Sequence, residues 1–217
     1  KRQKMPELLA PAGGMEQLRA ALRFGADAVY GGMKHYGLRA FAGNFGPEEL
    51  REAVVLCHQM GRKFYVTMNI FPFDDQLPGF IEAARDAAKA GVDAAIVSDL
   101  GAICVLREQV PELPLHVSTQ ASTVNAPAVR QYQAMGCERV IPAREMSLAR
   151  IAALHREVGD SIQLETFVHG ASCVAWSGRC LLSAALTGRS GNQGACAQPC
   201  RWEYAVMEKK RPGEYLP

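Results

Sequence analysis

Four cysteines, Cys173, Cys180, Cys196 and Cys200, fall within 28 residues of one another. They sit in the stretch ETFVHGASCVAWSGRCLLSAALTGRSGNQGACAQPCRWEY, residues 165–204, among the Gly, Ser, Arg and Asn that build loops. Thiolates hold zinc and iron–sulfur clusters, so four in one loop-rich segment point to a metal centre. Cys196-x3-Cys200 has zinc-like spacing, while the longer Cys173-x6-Cys180 gap suits zinc less well. Disulfides or unused thiols are the alternative. The chain has seven cysteines, an odd number that fits a reducing, cytoplasmic compartment better than a disulfide scaffold. Cys57, Cys104 and Cys137 stand singly in apolar, helix-like surroundings and are expected in the core, where free cysteine packs as a small hydrophobe.

The elements that must position this segment show in the rhythm of the preceding residues. Short apolar runs at 7–11, 26–30, 64–70, 94–98, 115–119, 139–142 and 162–167 read as strands. Helical spacing covers 15–24, 47–60, 77–90, 100–110, 125–135 and 147–158. Pro47, Asn125 and Ser147 mark helix starts, and Gly25, Gly61, Gly91, Gly136 and Gly159 mark ends. Three junctions share a plan: Gly25-Ala-Asp-Ala-Val, Gly91-Val-Asp-Ala-Ala and Gly136-Cys-Glu-Arg-Val. Alternating β and α units imply parallel strands with right-handed crossovers. Seven strands and six helices predict an α/β fold of the TIM type, a (β/α)8 barrel. A doubly wound sheet is the rival, disfavoured because no G-x-G-x-x-G follows the first strand.

A chain of 217 residues can bury a substantial core, and 48% hydrophobic with 21% charged residues is ordinary for a globular domain. The formal net charge of +2 argues neither for nor against nucleic acid. No apolar run reaches transmembrane length, and no secretory signal peptide is visible. In a barrel the chemistry sits at the C-terminal ends of the strands. Here those ends supply Tyr30, Asn69, Asp99, Ser118, Thr119, Gln120, Arg144, Glu145, Glu165 and His169. Any of them could equally be a loop cap. Glu165 and His169 stand out because they directly precede the cysteines, which puts the cysteine segment at the same face. Arg144 or Arg179 could bind a carboxylate with its planar fork, or pair with a neighbouring acid. Arg179, Arg189, Arg201, Lys209, Lys210 and Arg211, with Trp202 and Tyr204, form either an RNA-facing patch or a solvated surface run.

One long pattern is specific: Glu165-x-Phe167-x-x-Gly170-Ala171-x-Cys173-x4-Gly178-x-Cys180-x-Leu182-Ser183. It resembles the signature of the peptidase U32 family, also called collagenase-like proteases. Pro6-Glu7-Leu8-Leu9-Ala10-Pro11-Ala12-Gly13 resembles that family's N-terminus, and Gln198-Pro199-Cys200-Arg201-Trp202 its continuation. Ser172 departs from the pattern, which has an aliphatic residue there. The resemblance implies an enzyme, and two activities. One is an oxygen-independent, [4Fe–4S]-dependent hydroxylation, in one branch of tRNA uridine with prephenate and in another in ubiquinone synthesis. The other is collagenase-like peptide hydrolysis. A non-catalytic zinc-binding barrel that recruits a partner is a third reading. No G-x-S-x-G elbow and no H-E-x-x-H motif supports hydrolysis, although His169 and Cys173 are close enough in sequence to meet.

These readings assign Glu165 and His169 to catalysis and Asn69, Gln120, Arg144 and Arg179 to substrate, either tRNA or a small carboxylate. Cys173, Cys180, Cys196 and Cys200 go to a [4Fe–4S] cluster, or to zinc. Residues 1–170 are expected to form the barrel portion and 171–217 a cysteine-rich segment of the same domain, with a protein partner or a second copy in the assembly. A complete barrel takes about 250 residues. Seven strand patterns are visible, so the barrel is expected to be incomplete, with the fourth cluster ligand either Cys200 or a residue beyond Pro217.

Overall fold

The computed structural model describes residues 5–38, 43–170, 173–211, 213 and 215–216. Ala171 and Ser172 of the signature lie outside them. Seven strands, β1 (Leu9–Pro11), β2 (Ala28–Gly32), β3 (Lys63–Met68), β4 (Ala94–Val97), β5 (Leu115–Val117), β6 (Arg139–Val140) and β7 (Gln163–Leu164), form one sheet in sequence order. Every neighbouring pair is parallel. The crossovers carry α1 (Met15–Arg23), α2 (Pro47–Gln59), α3 (Leu77–Ala90), α4 (Leu100–Gln109), α5 (Ala126–Ala134) and α6 (Leu148–Val158). This is the expected barrel alternation. Among the described residues no ladder joins β7 to β1, so the sheet curls as an open barrel.

Local chemistry sets the helix ends. The carboxylate of Asp99 accepts the Ala102 N–H at 2.8 Å, Asn125 accepts that of Ala128 at 3.0 Å, and Ser147 that of Arg150 at 3.4 Å. Each satisfies a donor that has no partner within the helix. Gly91 ends α3 at φ 82°, in the left-handed region that costs glycine least.

Period-two alternation divides the strand side chains between two cores. Outward-facing Val29, Phe64, Val66, Val97, Leu115 and Val117 pack beneath Leu18, Val54, Phe80, Ile103, Leu106 and Leu154 of the helices. Inward-facing Ala28, Tyr65, Ala94, Ile96 and Ile141 fill the barrel with Leu9 and Tyr30. Cys57 and Cys137 are buried as expected, and burial pushes each thiol up to about 11. Cys104 is exposed instead, because α4 turns Ala102, Ile103 and Leu106 to the core and leaves 104 on the opposite face.

After β7 the chain leaves the barrel rhythm. It forms α7 (Leu182–Thr187) and a small antiparallel pair, β8 (Val206–Met207) with β9 (Tyr215–Leu216). Among the described residues no helix is long and apolar enough to cross a membrane.

Candidate functional site at the barrel mouth

The C-terminal strand ends meet as a mouth, but several of their polar groups hold loops. Asn69 Oδ1 accepts the Leu38 N–H at 3.0 Å, and the Asn69 carbonyl accepts Ser98 Oγ at 2.9 Å. Asp99 caps α4, and Thr119 Oγ1 donates to the Pro142 carbonyl at 3.0 Å. Gln120 is half-buried, and its backbone N–H donates to Ser118 Oγ at 3.3 Å. Asn69 thus ties the β2–α2 loop to β3, which a reading of strand ends alone does not reveal.

The cysteine-rich segment lies over this mouth. Its anchor is Ser177, 2% exposed. The Ser177 N–H donates to Glu145 Oε1 at 3.0 Å, and its hydroxyl accepts from Arg144 Nε and Nη2 at 3.3 and 3.2 Å. Ser122 donates to the Ser177 carbonyl. Next along, Gly178 sits at φ 68°, where an added Cβ would lie 2.1 Å from the Gln120 carbonyl oxygen. On the other side, the Phe71 N–H donates to the Asn192 carbonyl at 3.1 Å, and Gln193 Nε2 donates to the Phe71 carbonyl. The segment therefore bridges the loops after β3, β5 and β6.

Arg144 takes part in this anchoring and stacks over Phe167, its guanidinium carbon 5.6 Å from the ring centre. It joins no ion pair among the described residues, so its charge meets a neutral hydroxyl and an aromatic face. His169 and Arg179 are exposed.

Glu165 turns away from the mouth into the barrel. There Arg139 Nη1 donates to Glu165 Oε2 and to Glu7 Oε1, both at 2.9 Å, while Nε and Nη2 reach Gln163 Oε1 at 3.0 and 2.6 Å. The guanidinium carbon stands 5.1 Å from the centre of the Tyr65 ring. The two carboxylates differ although they share one nitrogen. Burial pushes Glu165 up, against the pull of Arg139 and with Glu7 adding repulsion. Burial acts the same way on Glu7, but Arg139, the Tyr65 hydroxyl and Lys63 outweigh it and hold Glu7 below the usual range. His116 packs edge-on to Tyr65 at 4.8 Å, and its Nδ1 is buried without a hydrogen-bond partner. Burial, with Arg139 and Lys63 nearby, lowers its pKa to about 3, so the imidazole is neutral. Glu7, Tyr65, His116 and Arg139 were not singled out from the sequence. They fall within the expected strand runs at 7–11, 64–70, 115–119 and 139–142 and carry no further signal in the sequence.

Cys173, Cys196 and Cys200 are exposed, Cys180 is half-buried, and all four thiols are free. As a donor set they suit an iron–sulfur cluster: reachable sulfurs on the segment that docks at the mouth, unlike the buried Cys57 and Cys137. Among the described residues no three His, Cys, Asp or Glu side chains are gathered closely enough to hold a metal ion. The four thiols are thus a suitable donor set without an assembled ligand cage.

The family model for peptidase family U32 matches residues 13–216, from the end of β1 through the whole cysteine-rich segment. The chain belongs to the peptidase U32 family. Among U32 relatives, tRNA hydroxylation protein P of Escherichia coli K12 is 46% identical over 205 residues, covering 94% of this chain and 45% of that protein. The 23S rRNA 5-hydroxycytidine C2501 synthase of the same organism is 39% identical over 202 residues, covering 93% of this chain and 30% of the synthase. The chain thus spans less than half the length of these relatives. The solved structure of the U32 peptidase Mk0906 superimposes with a TM-score of 0.61 at 16% identity, over 76% of this chain and 70% of that one. At that identity the likeness speaks for the U32 fold alone.

Proposed function

We propose that this chain is part of a U32 enzyme that hydroxylates a uridine base of tRNA, with prephenate as co-substrate and a [4Fe–4S] cluster on Cys173, Cys180, Cys196 and Cys200. The observation that carries the reading is the 46% identity to tRNA hydroxylation protein P, sustained over 94% of the chain. The rRNA relative is named for a hydroxylated pyrimidine as well.

Replacing a ring hydrogen by hydroxyl removes two electrons from the base and needs an oxygen donor. A [4Fe–4S] cluster supplies one-electron redox chemistry, tuned by hydrogen bonds and burial. This chain's own residues supply placement and protons. Arg144, whose fork meets the Ser177 hydroxyl and the Phe167 ring and joins no ion pair among the described residues, can take a carboxylate, and the exposed Arg179 is a second candidate. His169 at the rim can exchange a proton with substrate. Glu165, paired with Arg139 inside the barrel, acts through that interior ion-pair cluster and not by contact with a substrate at the mouth.

Peptide hydrolysis is the weaker reading. It needs a nucleophile beside a base, yet among the described residues no histidine bonds a cysteine or serine side chain. The histidine that is paired, His58 with Asp93 at 2.9 Å, lies at the opposite end of the barrel.

Anaerobic purification of the full-length protein, followed by iron, sulfide and zinc analysis, tests the cluster. The expected result is about four irons and four sulfides per chain, lost on Cys173→Ser or Cys180→Ser with thermal unfolding of the barrel little changed. Stoichiometric zinc without sulfide would refute it.

A further inference from the structure

Beside the mouth, a groove of about 490 Å3 runs between the start of α5, α6 and the cysteine-rich segment. Ala126, Ala153 and Leu154 give it an apolar lining, and the indole of Trp176 borders it, 47% exposed. Two acids also line the groove, and both are engaged. Glu157 pairs with Arg130 at 2.6 Å, and Glu145 accepts the Ser177 N–H. Arg150 is exposed, and its guanidinium makes no ion pair among the described residues. The groove therefore offers a flat aromatic face, an apolar lining and the uncommitted positive charge of Arg150, with the Glu145 carboxylate held at its Ser177 side by the backbone N–H.

We propose that this groove docks the RNA strand beside the modified nucleotide, with a base stacked on Trp176 and the adjoining phosphate paired with Arg150. The proposal rests on the reading of RNA as substrate and says where the strand is gripped. Single-stranded RNA is held by this combination without regard to sequence, because every base has a π-face and every nucleotide a phosphate. The position fits. Trp176 adjoins Ser177, the anchor at the mouth, and lies three residues after Cys173 and four before Cys180. A strand gripped here is delivered to the mouth.

The test is a titration of the full-length protein with an RNA stem-loop carrying an unpaired uridine, read by tryptophan fluorescence and by salt dependence. The parent is expected to show quenching that Trp176→Phe removes while keeping affinity within about three-fold. Trp176→Ala should weaken binding about ten-fold. Arg150→Ala should weaken it several-fold and reduce the salt slope by about 0.7. Lys89→Ala, on exposed α3, should change neither. RNA binding with unaltered quenching in Trp176→Phe and an unaltered salt slope in Arg150→Ala would overturn the groove and leave RNA hydroxylation standing. Absence of RNA binding by the parent would overturn both. Quenching by a small aromatic carboxylate, with none by RNA, would reassign the groove to a small molecule.

Discussion

Arg139 is 7% exposed on its side chain and gives one nitrogen to two carboxylates, from the residues flanking the two ends of the sheet. Burying that charge is tolerable only because Glu7, Glu165 and Gln163 occupy its donors. The cluster joins residues 132 apart in sequence, so no local pattern could announce it. Arg139 reads simply as the start of a strand. His116 shares this interior as a neutral ring and gives a pH prediction. Its pKa is lowered from 6.5 to about 3, so between those values the unfolded chain binds a proton that the folded chain does not. The stability His116 contributes is complete above about 6.5 and is lost as pH falls toward 3. Denaturant unfolding of His116→Asn and parent protein across that range should show a shallower acid loss in the variant. Parallel curves would show that His116 does not titrate in this way.

The strands and helices were largely legible at the scale of elements, because each helix carries its own punctuation. Leu77–Ala90 matches its expected bounds, and Asn125 and Ser147 cap the helices that their positions suggested. The later strands are shorter than their apolar runs. β6 and β7 have two residues each, since a residue counts as strand only where a neighbouring strand takes up its hydrogen bonds. The docking of the cysteine-rich segment was legible only as a direction, from its place after β7. Ser177 and Gly178, which fix it, look like ordinary loop residues in the sequence. Gly178 makes this testable. At φ 68° and with the Gln120 carbonyl 2.1 Å from a would-be Cβ, Gly178→Ala should cost more than about 1 kcal/mol of segment docking. Hydrogen exchange should show faster exchange across 173–204 with the helices α1–α4 unchanged. Unchanged protection of that segment would mean that Ser177 and Gly178 do not anchor it.

On the scale of the whole molecule, the chain is seven strands of a curled parallel sheet with a four-thiol segment laid over its mouth. The U32 signature, read from the sequence, and the family match agree on the family, and the likeness to the solved U32 structure agrees on the barrel fold. The open seam between β1 and β7 is bridged by side chains, Glu7 through Arg139 to Glu165, where a closed barrel would use backbone hydrogen bonds. The expectation of an incomplete barrel followed from counting strand patterns. The ionic bridge could not be counted, because it depends on the sheet's curl. The thiols, the mouth and the groove bordered by Trp176 all lie on the segment or beside it, so the proposed chemistry falls on one face. The most direct measurement is nucleoside mass spectrometry of tRNA from anaerobically grown cells that lack their own uridine-hydroxylating activity and express the full-length protein or its Cys173→Ser variant. The account predicts that 5-hydroxyuridine appears with the parent protein and is absent with the variant. Iron-loaded parent protein that leaves tRNA uridine unmodified, or equal hydroxylation by the variant, would contradict it.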